Sequence, residues 1–161
     1  MPARPPRRSA RRVPQTGERQ EWTLATDLNA IAPVVDAVQS LCRAAGLPEK
    51  QCALNIPVAI TEALANAMLR GNEADPTRCV HVVVELSAAR LVVDVSDEGQ
   101  GNFQVDSVQC APDAPDWLER EDGRGIFLMR SLMDEVLSVS RATRRGREQR
   151  GHTLRLVLQR V

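Results

Sequence analysis

The stretch from Ile60 to Asn72, ITEALANAMLRGN, constrains the fold of this chain more than any other. Its spacing predicts a helix that is apolar nearly all round, which is typical of a helix buried in a core. Glu62 and Asn66 stand four residues apart and therefore lie one above the other on one face, on a narrow polar stripe that also takes in Asn55 and Arg70. We therefore expect other elements to pack around this helix and its polar stripe to line a cavity.

A carboxylate and an amide one helical turn apart suit the chemistry of a hard cation and a hydroxyl group. An amide oxygen can ligate magnesium beside substrate phosphates. A carboxylate one turn away can accept a proton. Taken alone, the segment is equally compatible with a solvated polar stripe on an ordinary core helix.

The composition is that of a globular protein with a single domain. The chain has 161 residues, of which 43% are hydrophobic and 26% are charged. Aromatic residues make up 2% of the chain, which argues against nucleic-acid recognition by base stacking. No run approaches the roughly 18 apolar residues of a membrane span. We therefore expect a cytoplasmic protein without a direct nucleic-acid or membrane partner.

Cysteine and histidine placement gives no sign of a metal centre. The cysteines show no CxxC spacing, and the two histidines are isolated in the sequence. A zinc site is therefore not predicted. Reduced, buried thiols are what we expect of these cysteines.

The first 20 residues differ in character from the rest. They carry six arginines against one acidic residue, Glu18, and are rich in proline. We predict a disordered basic tail over residues 1–20 and a folded domain over residues 21–161. The tail lacks the apolar stretch of a secretory signal. Both an inert extension and an arm that binds an acidic partner remain open.

Periodicity and capping residues predict an alternating set of helices and strands. In chain order they are a strand at 21–25, a helix at 28–45, the Glu62 helix opening at Leu47-Pro48, hairpin strands at 78–86 and 91–96, a helix at 126–136, and strands at 136–140 and 151–159. Pro57 removes a backbone hydrogen bond within the Glu62 helix, so we expect a kink or a new helix start near Asn55 and Ile56.

Two glycine-containing segments follow the hairpin. Asp97-Glu98-Gly99-Gln100-Gly101 places a carboxylate at the end of a strand, where glycines allow close approach of the backbone to a ligand. Gly123-Arg124-Gly125 opens a predicted helix and could offer free N–H groups to an anion, although plain helix capping by Asp122 explains it equally well. Residues 102–122 have no long periodic run, and we expect a lid-like loop there.

In order, these segments resemble the motifs of a known superfamily. EALAN at 62–66, DEGQG at 97–101, GRGIFLMRSLMDEV at 123–136 and GHTL at 151–154 resemble the nucleotide-binding motifs of the Bergerat-fold (GHKL) ATPases, which include histidine kinases and gyrase B. The third segment is most similar to the anti-sigma factor serine/threonine-protein kinases of bacteria. The resemblance implies an α/β two-layer sandwich, with a mixed, mainly antiparallel sheet and three helices on one face.

The resemblance also implies a role for each matching residue. Asn66 would ligate Mg²⁺ bridging the phosphates of ATP, and Glu62 would be the general base toward a substrate serine. Asp97 would accept a hydrogen bond from the adenine amino group, with Thr153 beside it through water. The remaining implied ATP-binding residues are Arg70, Gly99, Gly101, Gly123, Arg124 and Gly125.

In this family, such a protein phosphorylates a STAS-domain anti-anti-sigma protein and alternately holds a sigma factor inactive, and a homodimer is suggested. The chain departs from the family pattern at Arg70, where many relatives have histidine, and at Asn102, which precedes Phe103. These departures motivate an alternative, a non-catalytic nucleotide-binding module that sequesters a regulatory partner. A detached histidine-kinase catalytic domain is a third hypothesis.

Overall fold

Five strands form one layer of the fold and three helices form the other. The computed structural model describes residues 17–100, 121–139 and 151–160. The strands are β1 (Glu18–Ala25), β2 (Cys79–Leu86), β3 (Arg90–Ser96), β4 (Glu135–Val139) and β5 (Thr153–Gln159), in the spatial order β1-β2-β3-β5-β4. All four pairings between these strands are antiparallel. The predicted sheet was mixed and mainly antiparallel, and among the described strands no pairing is parallel. The predicted hairpin of β2 and β3 is confirmed.

One face of the sheet is apolar and carries the sheet side of the core. Strict alternation places every second residue of the three central strands on this face, as predicted. These residues are Val80, Val82 and Val84 of β2, Leu91, Val93 and Val95 of β3, and Leu154, Leu156 and Leu158 of β5. The opposite face carries polar pairs such as Asp94 and Arg155, whose side chains form two hydrogen bonds of 2.7 Å.

The helical layer consists of α1 (Ile31–Ala44), α2 (Ile56–Asn66) and α3 (Glu121–Leu132). Helix α2 packs against both α1 and α3. Ile56, Ile60 and Leu64 of α2 are fully buried. The prediction that other elements pack around this helix is therefore confirmed.

A π-helical turn flanks α2 on each side, Gln51–Asn55 before it and Ala67–Gly71 after it. Near Asn55 and Ile56, where Pro57 predicted a kink or a new helix start, the helix continues and changes from the π-helical to the α-helical pattern. The continuous helix Gln51–Gly71, of 21 residues, is long and apolar enough to cross a membrane by length and composition alone. Because the central helix of a core satisfies the same test, this is weak evidence for a membrane span.

Several element boundaries differ from the predictions. Strand β1 begins at Glu18, so residues 18–20, assigned to the tail, belong to the sheet. A 3₁₀ turn, Leu28–Ala30, precedes α1 and is capped by the Asp27 carboxylate, which accepts a 3.0 Å hydrogen bond from the backbone N–H of Asn29. The predicted tail over residues 1–16 lies outside the described residues.

The third helix shows the largest difference from the sequence prediction. Helix α3 begins at Glu121 and ends at Leu132, so Gly123 and Gly125 lie within the helix and not ahead of it. Its C-terminal end is met by Asn55, whose Nδ2 donates to the carbonyl oxygen of Leu132 at 2.8 Å. Residues 121 and 122 of the expected lid are helical, and the rest of the lid, 102–120, lies outside the described residues.

Candidate functional site

A cleft opens where the C-terminal end of α2 meets the end of β3 and the start of β5. Its lining is mostly apolar, with a few polar groups. The described residues that line it are Ala63, Asn66, Ala67, Gly71, Val95, Asp97, His152 and Leu154. A concave, mostly apolar site with a few convergent polar groups is what small-molecule sites have in common.

At one end of the cleft, Glu62 and Asn66 lie against Gly125 of α3. A Cβ atom added to Gly125 would lie 2.8 Å from Oε2 of Glu62 and 3.2 Å from Nδ2 of Asn66. Glycine costs about 1 kcal/mol relative to alanine inside a helix. At position 125, glycine allows α3 to approach the two polar side chains. This close approach gives a reason for a glycine inside the helix, where the sequence alone suggested a helix start.

The side chains at this end suit a cation that brings most of its own ligands. Among the described residues, no group of three or more His, Cys, Asp or Glu side chains could hold a metal ion. The amide of Asn66 lines the cleft, and magnesium typically takes one or two protein oxygens together with substrate phosphates and water. Asn66 therefore fits a magnesium ion that arrives with a nucleotide, and does not fit a permanent metal centre.

Elsewhere in the cleft lining, backbone N–H groups hold the carboxylate of Asp97. The side chain is 4% exposed. Its Oδ1 accepts hydrogen bonds from the backbone N–H groups of Gly99 at 3.0 Å and His152 at 3.1 Å. Each carboxylate oxygen can accept more than one hydrogen bond, so Asp97 retains acceptor capacity on Oδ2 for a ligand that enters the cleft.

Two glycines make this arrangement of Asp97 sterically possible. A Cβ on Gly71 would lie 2.2 Å from Oδ2 of Asp97, and a Cβ on Gly99 would lie 1.7 Å from the carbonyl oxygen of Gly71. No larger residue fits at either position unless the backbone moves. Gly99 was expected to allow close approach to a ligand, and in the structure its close contact is with Gly71.

His152, directly before β5, lines the cleft, whereas Thr153 at the start of β5 does not. The hydroxyl of Thr153 lies 2.7 Å from that of Ser96, on the opposite face of the sheet from Asp97. Thr153 is not among the described residues that line the cleft, and its implied role beside Asp97 through water stays a prediction. Because Leu154 faces the cleft, strand alternation places His152 there too, and this signal was already present in the sequence.

The imidazole of His152 adds an aromatic ring to the cleft wall. Burial lowers its pKa, and the nearby charge of Asp97 opposes that shift. Its Nε2 lies 3.0 Å from the hydroxyl of Ser138. The polar side chains in the described lining of the cleft are the Asp97 carboxylate, the Asn66 amide and the His152 imidazole.

Of the other residues implied by the resemblance, Arg70, Gly123 and Arg124 are described by the structure. Arg70 is in the π-helical turn directly before Gly71, and Arg124 is exposed on α3 between the two glycines. Neither is among the described residues that line the cleft. Gly123 lies in α3 two residues before Gly125. Gly101 lies outside the described residues.

Comparisons with known proteins agree with this geometry. A crystal structure of the RsbU and RsbW domains of a Mycobacterium tuberculosis protein matches 89% of this chain and 33% of that one, with a TM-score of 0.59 and 18% sequence identity. At that identity the match shows a shared fold.

Two curated relatives are named anti-sigma F factors. That of Bacillus cytotoxicus is 34% identical over 87 residues, and that of Bacillus thuringiensis is 33% identical over the same length. In each comparison the match covers 53% of this chain and 58% of the relative, so the chain spans somewhat more than half the length of the relatives that it matches.

A family model described as a histidine kinase-like ATPase domain matches residues 24–158, which include the three helices, strands β2 to β4, all of β5 but its last residue, and the last two residues of β1. Glu62, Asn66, Asp97 and His152 all fall inside the matched range. The chain therefore belongs to the family of histidine kinase-like ATPase domains.

Proposed function

We propose that this chain is an ATP-dependent protein serine/threonine kinase that acts as a cytoplasmic anti-sigma factor. Its substrate would be a STAS-domain anti-anti-sigma protein, and its second partner a sigma factor that it holds inactive. The similarity to anti-sigma F factors supports this choice of pathway. The observation that carries it is the placement of Glu62 and Asn66 together against Gly125, with Asn66 lining the same cleft as Asp97.

In this proposal the polar groups of the cleft divide the binding of ATP between them. Asp97 accepts a hydrogen bond from the 6-amino group of adenine, and the apolar wall that includes Val95 and Leu154 packs against the base. Asn66 holds the magnesium ion, which when bound neutralises charge on the phosphates. Phosphoryl transfer requires mainly positioning and charge neutralisation, which a small number of fixed side chains can supply.

Glu62 completes the set as the general base. Its carboxylate lies one helical turn from the amide of Asn66 and is only partly buried, so a hydroxyl group of a docked protein can reach it. It would accept the proton of the substrate serine as the oxygen attacks the terminal phosphate. Substitution by glutamine keeps the shape of the side chain and removes this acceptor function.

The decisive experiment is phosphoryl transfer from radiolabelled ATP to the cognate STAS-domain protein, in the presence of magnesium. Glu62→Gln is expected to lower the transfer rate by roughly 100-fold or more, while the Kd for ATP stays unchanged. Glu135→Gln provides the matched control, because Glu135 is exposed at the start of β4. Equal rates in wild type and Glu62→Gln would refute the proposed role of Glu62.

The same assay separates the alternatives. ATP binding without any phosphorylated product would favour a non-catalytic module that sequesters its partner. A product that loses its phosphate in acid would indicate phosphohistidine, and with it a histidine-kinase catalytic domain. An acid-stable phosphoserine on the STAS-domain protein is the result expected here.

A further inference from the structure

Asn72 is a fully buried polar residue at the point where the helix that carries Asn66 ends. Its exposed fraction is 0%. Its Oδ1 accepts a hydrogen bond from the backbone N–H of Glu98 at 2.8 Å. Its Nδ2 donates to the hydroxyl of Thr26 and to the carbonyl oxygen of Cys79, both at 3.0 Å. One side chain thus joins the end of the helix to three separate segments of the chain.

The bond from Asn72 to Glu98 matters most for the cleft, because Glu98 follows Asp97. The two residues share a turn with Gly99, whose N–H donates to the Asp97 carboxylate at 3.0 Å. The Glu98 carboxylate in turn accepts a 2.8 Å hydrogen bond from the backbone N–H of Cys79 in β2. The turn is therefore held at its backbone by Asn72 and at its side chain by β2.

We infer that Asn72 is a positioning residue that orients the Asp97 carboxylate and thereby sets the preference of the cleft for a purine with a 6-amino group. The inference rests on the proposed function, since it takes adenine as the base that Asp97 recognises. Asn72 is not among the cleft-lining residues. It acts on the ligand only through Glu98 and Asp97. Its loss therefore changes which base is preferred, and it has no direct effect on phosphoryl transfer.

The test compares the binding of ATP with that of the triphosphate of purine riboside, which lacks the 6-amino group, by calorimetry on the full chain. The ratio of the two Kd values measures recognition of the amino group. In Asn72→Ala this preference is expected to fall roughly tenfold, because the turn that holds Asp97 loses its backbone anchor. The preference ratio, unlike affinity alone, is insensitive to a general loss of folded protein.

Thr26→Val is the matched control. It removes another hydrogen bond of Asn72 and the bond from the Thr26 hydroxyl to the carbonyl oxygen of Arg78, but it leaves the bond to Glu98 in place. It is expected to lower Tm and to keep the preference for ATP. An equal loss of preference in Thr26→Val and Asn72→Ala would indicate general loosening of the fold and would overturn the inference.

A second measurement covers the case in which Asn72→Ala does not fold. In wild-type protein without nucleotide, the backbone amide of Glu98 is expected to exchange its hydrogen slowly, because Asn72 already holds it. Rapid exchange of that amide overturns the inference without any variant. Wild-type protein that binds neither nucleotide contradicts the proposed function instead, whereas binding with an unchanged preference in Asn72→Ala contradicts the inference alone.

Discussion

At the scale of single residues, the geometry of the site depends on glycines, which have no side chain, as much as on the residues that carry functional groups. Gly125 is the clearest case, because the atoms that a Cβ would meet are the ends of the Glu62 and Asn66 side chains. Such ends can move aside, so the fold can accept alanine there. The geometry of the two functional side chains cannot remain the same.

Gly125→Ala is therefore expected to separate stability from activity. Alanine favours the helix by up to about 1 kcal/mol relative to glycine, so the free energy of unfolding should stay level or rise. Displacing Glu62 and Asn66 by even 1 Å is expected to lower phosphoryl transfer by roughly 100-fold. Chemical denaturation and the transfer assay measure the two effects. Ser131→Ala, at an exposed position on the same helix, should change neither by much, and full activity in Gly125→Ala would contradict the proposed site.

The half-buried imidazole of His152 predicts a loss of stability in mild acid. Burial holds its pKa in the folded protein below 6.5, whereas the unfolded chain keeps a value of about 6.5. Between these two values the unfolded chain binds more protons, so the free energy of unfolding falls as pH is lowered through that window. Urea denaturation at about pH 7.5 and about pH 5.5 should show a smaller loss in His152→Gln than in wild type. Equal losses would show that His152 does not contribute.

At the scale of elements, the start of α2 shows how a side chain of a neighbouring helix can replace a missing backbone N–H donor. Ile56 donates its N–H to the carbonyl oxygen of Gln51 in the π-helical pattern. Continuing that pattern would pair residue 57 with the carbonyl oxygen of Cys52, but Pro57 has no N–H. The side chain of Gln39, from α1, donates to that carbonyl oxygen at 2.9 Å. Helix α1 therefore supplies the donor that proline removes.

Gln39→Leu is expected to lower the free energy of unfolding by about 1–3 kcal/mol, because a buried carbonyl oxygen loses its partner. Pro57→Ala restores a backbone donor nearby, so Gln39→Leu should cost less in the Pro57→Ala background. A double-mutant cycle of denaturation curves measures this coupling. Purely additive effects would show that Gln39 and Pro57 do not share the Cys52 carbonyl.

Local patterns were sufficient to predict the elements but not the contacts between them. The β2–β3 hairpin followed from alternation, and Pro57 marked the place near Asn55 where the helix changes type. The start of α3 was misplaced because Asp122 followed by glycines reads locally as a cap. What decides the role of Gly125 is its closeness to Glu62, on another helix. Such a tertiary contact leaves no local signal in a single sequence.

At the scale of the whole molecule, the cleft exists only when distant segments of the chain meet. Glu62 and Asn66 could be singled out from one helix, and Asp97 from the end of one strand. Their joint placement depends on the antiparallel pairing of β3 with β5, which brings the backbone of His152 to Asp97, and on the packing of α3 against α2. The sequence therefore singled out the side chains to which the proposal gives roles, whereas the pairing of β3 with β5 is needed to see that His152 lines the cleft and Thr153 does not.

Because folding assembles the cleft, a nucleotide should stabilise the folded chain by mass action. At an ATP concentration of 100 times Kd, with magnesium, the free energy of unfolding is expected to rise by about 2.7 kcal/mol. Asp97→Asn should remove most of this increment with little change in stability without ligand, since an asparagine oxygen can still accept the two backbone hydrogen bonds made to Oδ1.

Asp94→Asn is the reciprocal control, because Asp94 lies three residues earlier and pairs with Arg155 on the opposite face of the sheet. It should weaken the fold without ligand and keep the increment from ATP. Denaturation curves with and without Mg-ATP measure both quantities in all three proteins. If Asp97→Asn retained the full increment, or Asp94→Asn lost it, the ligand would be binding elsewhere than in the cleft. Loss of the ATP increment in Asp97→Asn, together with its retention in Asp94→Asn, would locate nucleotide binding at the junction of α2, β3 and β5.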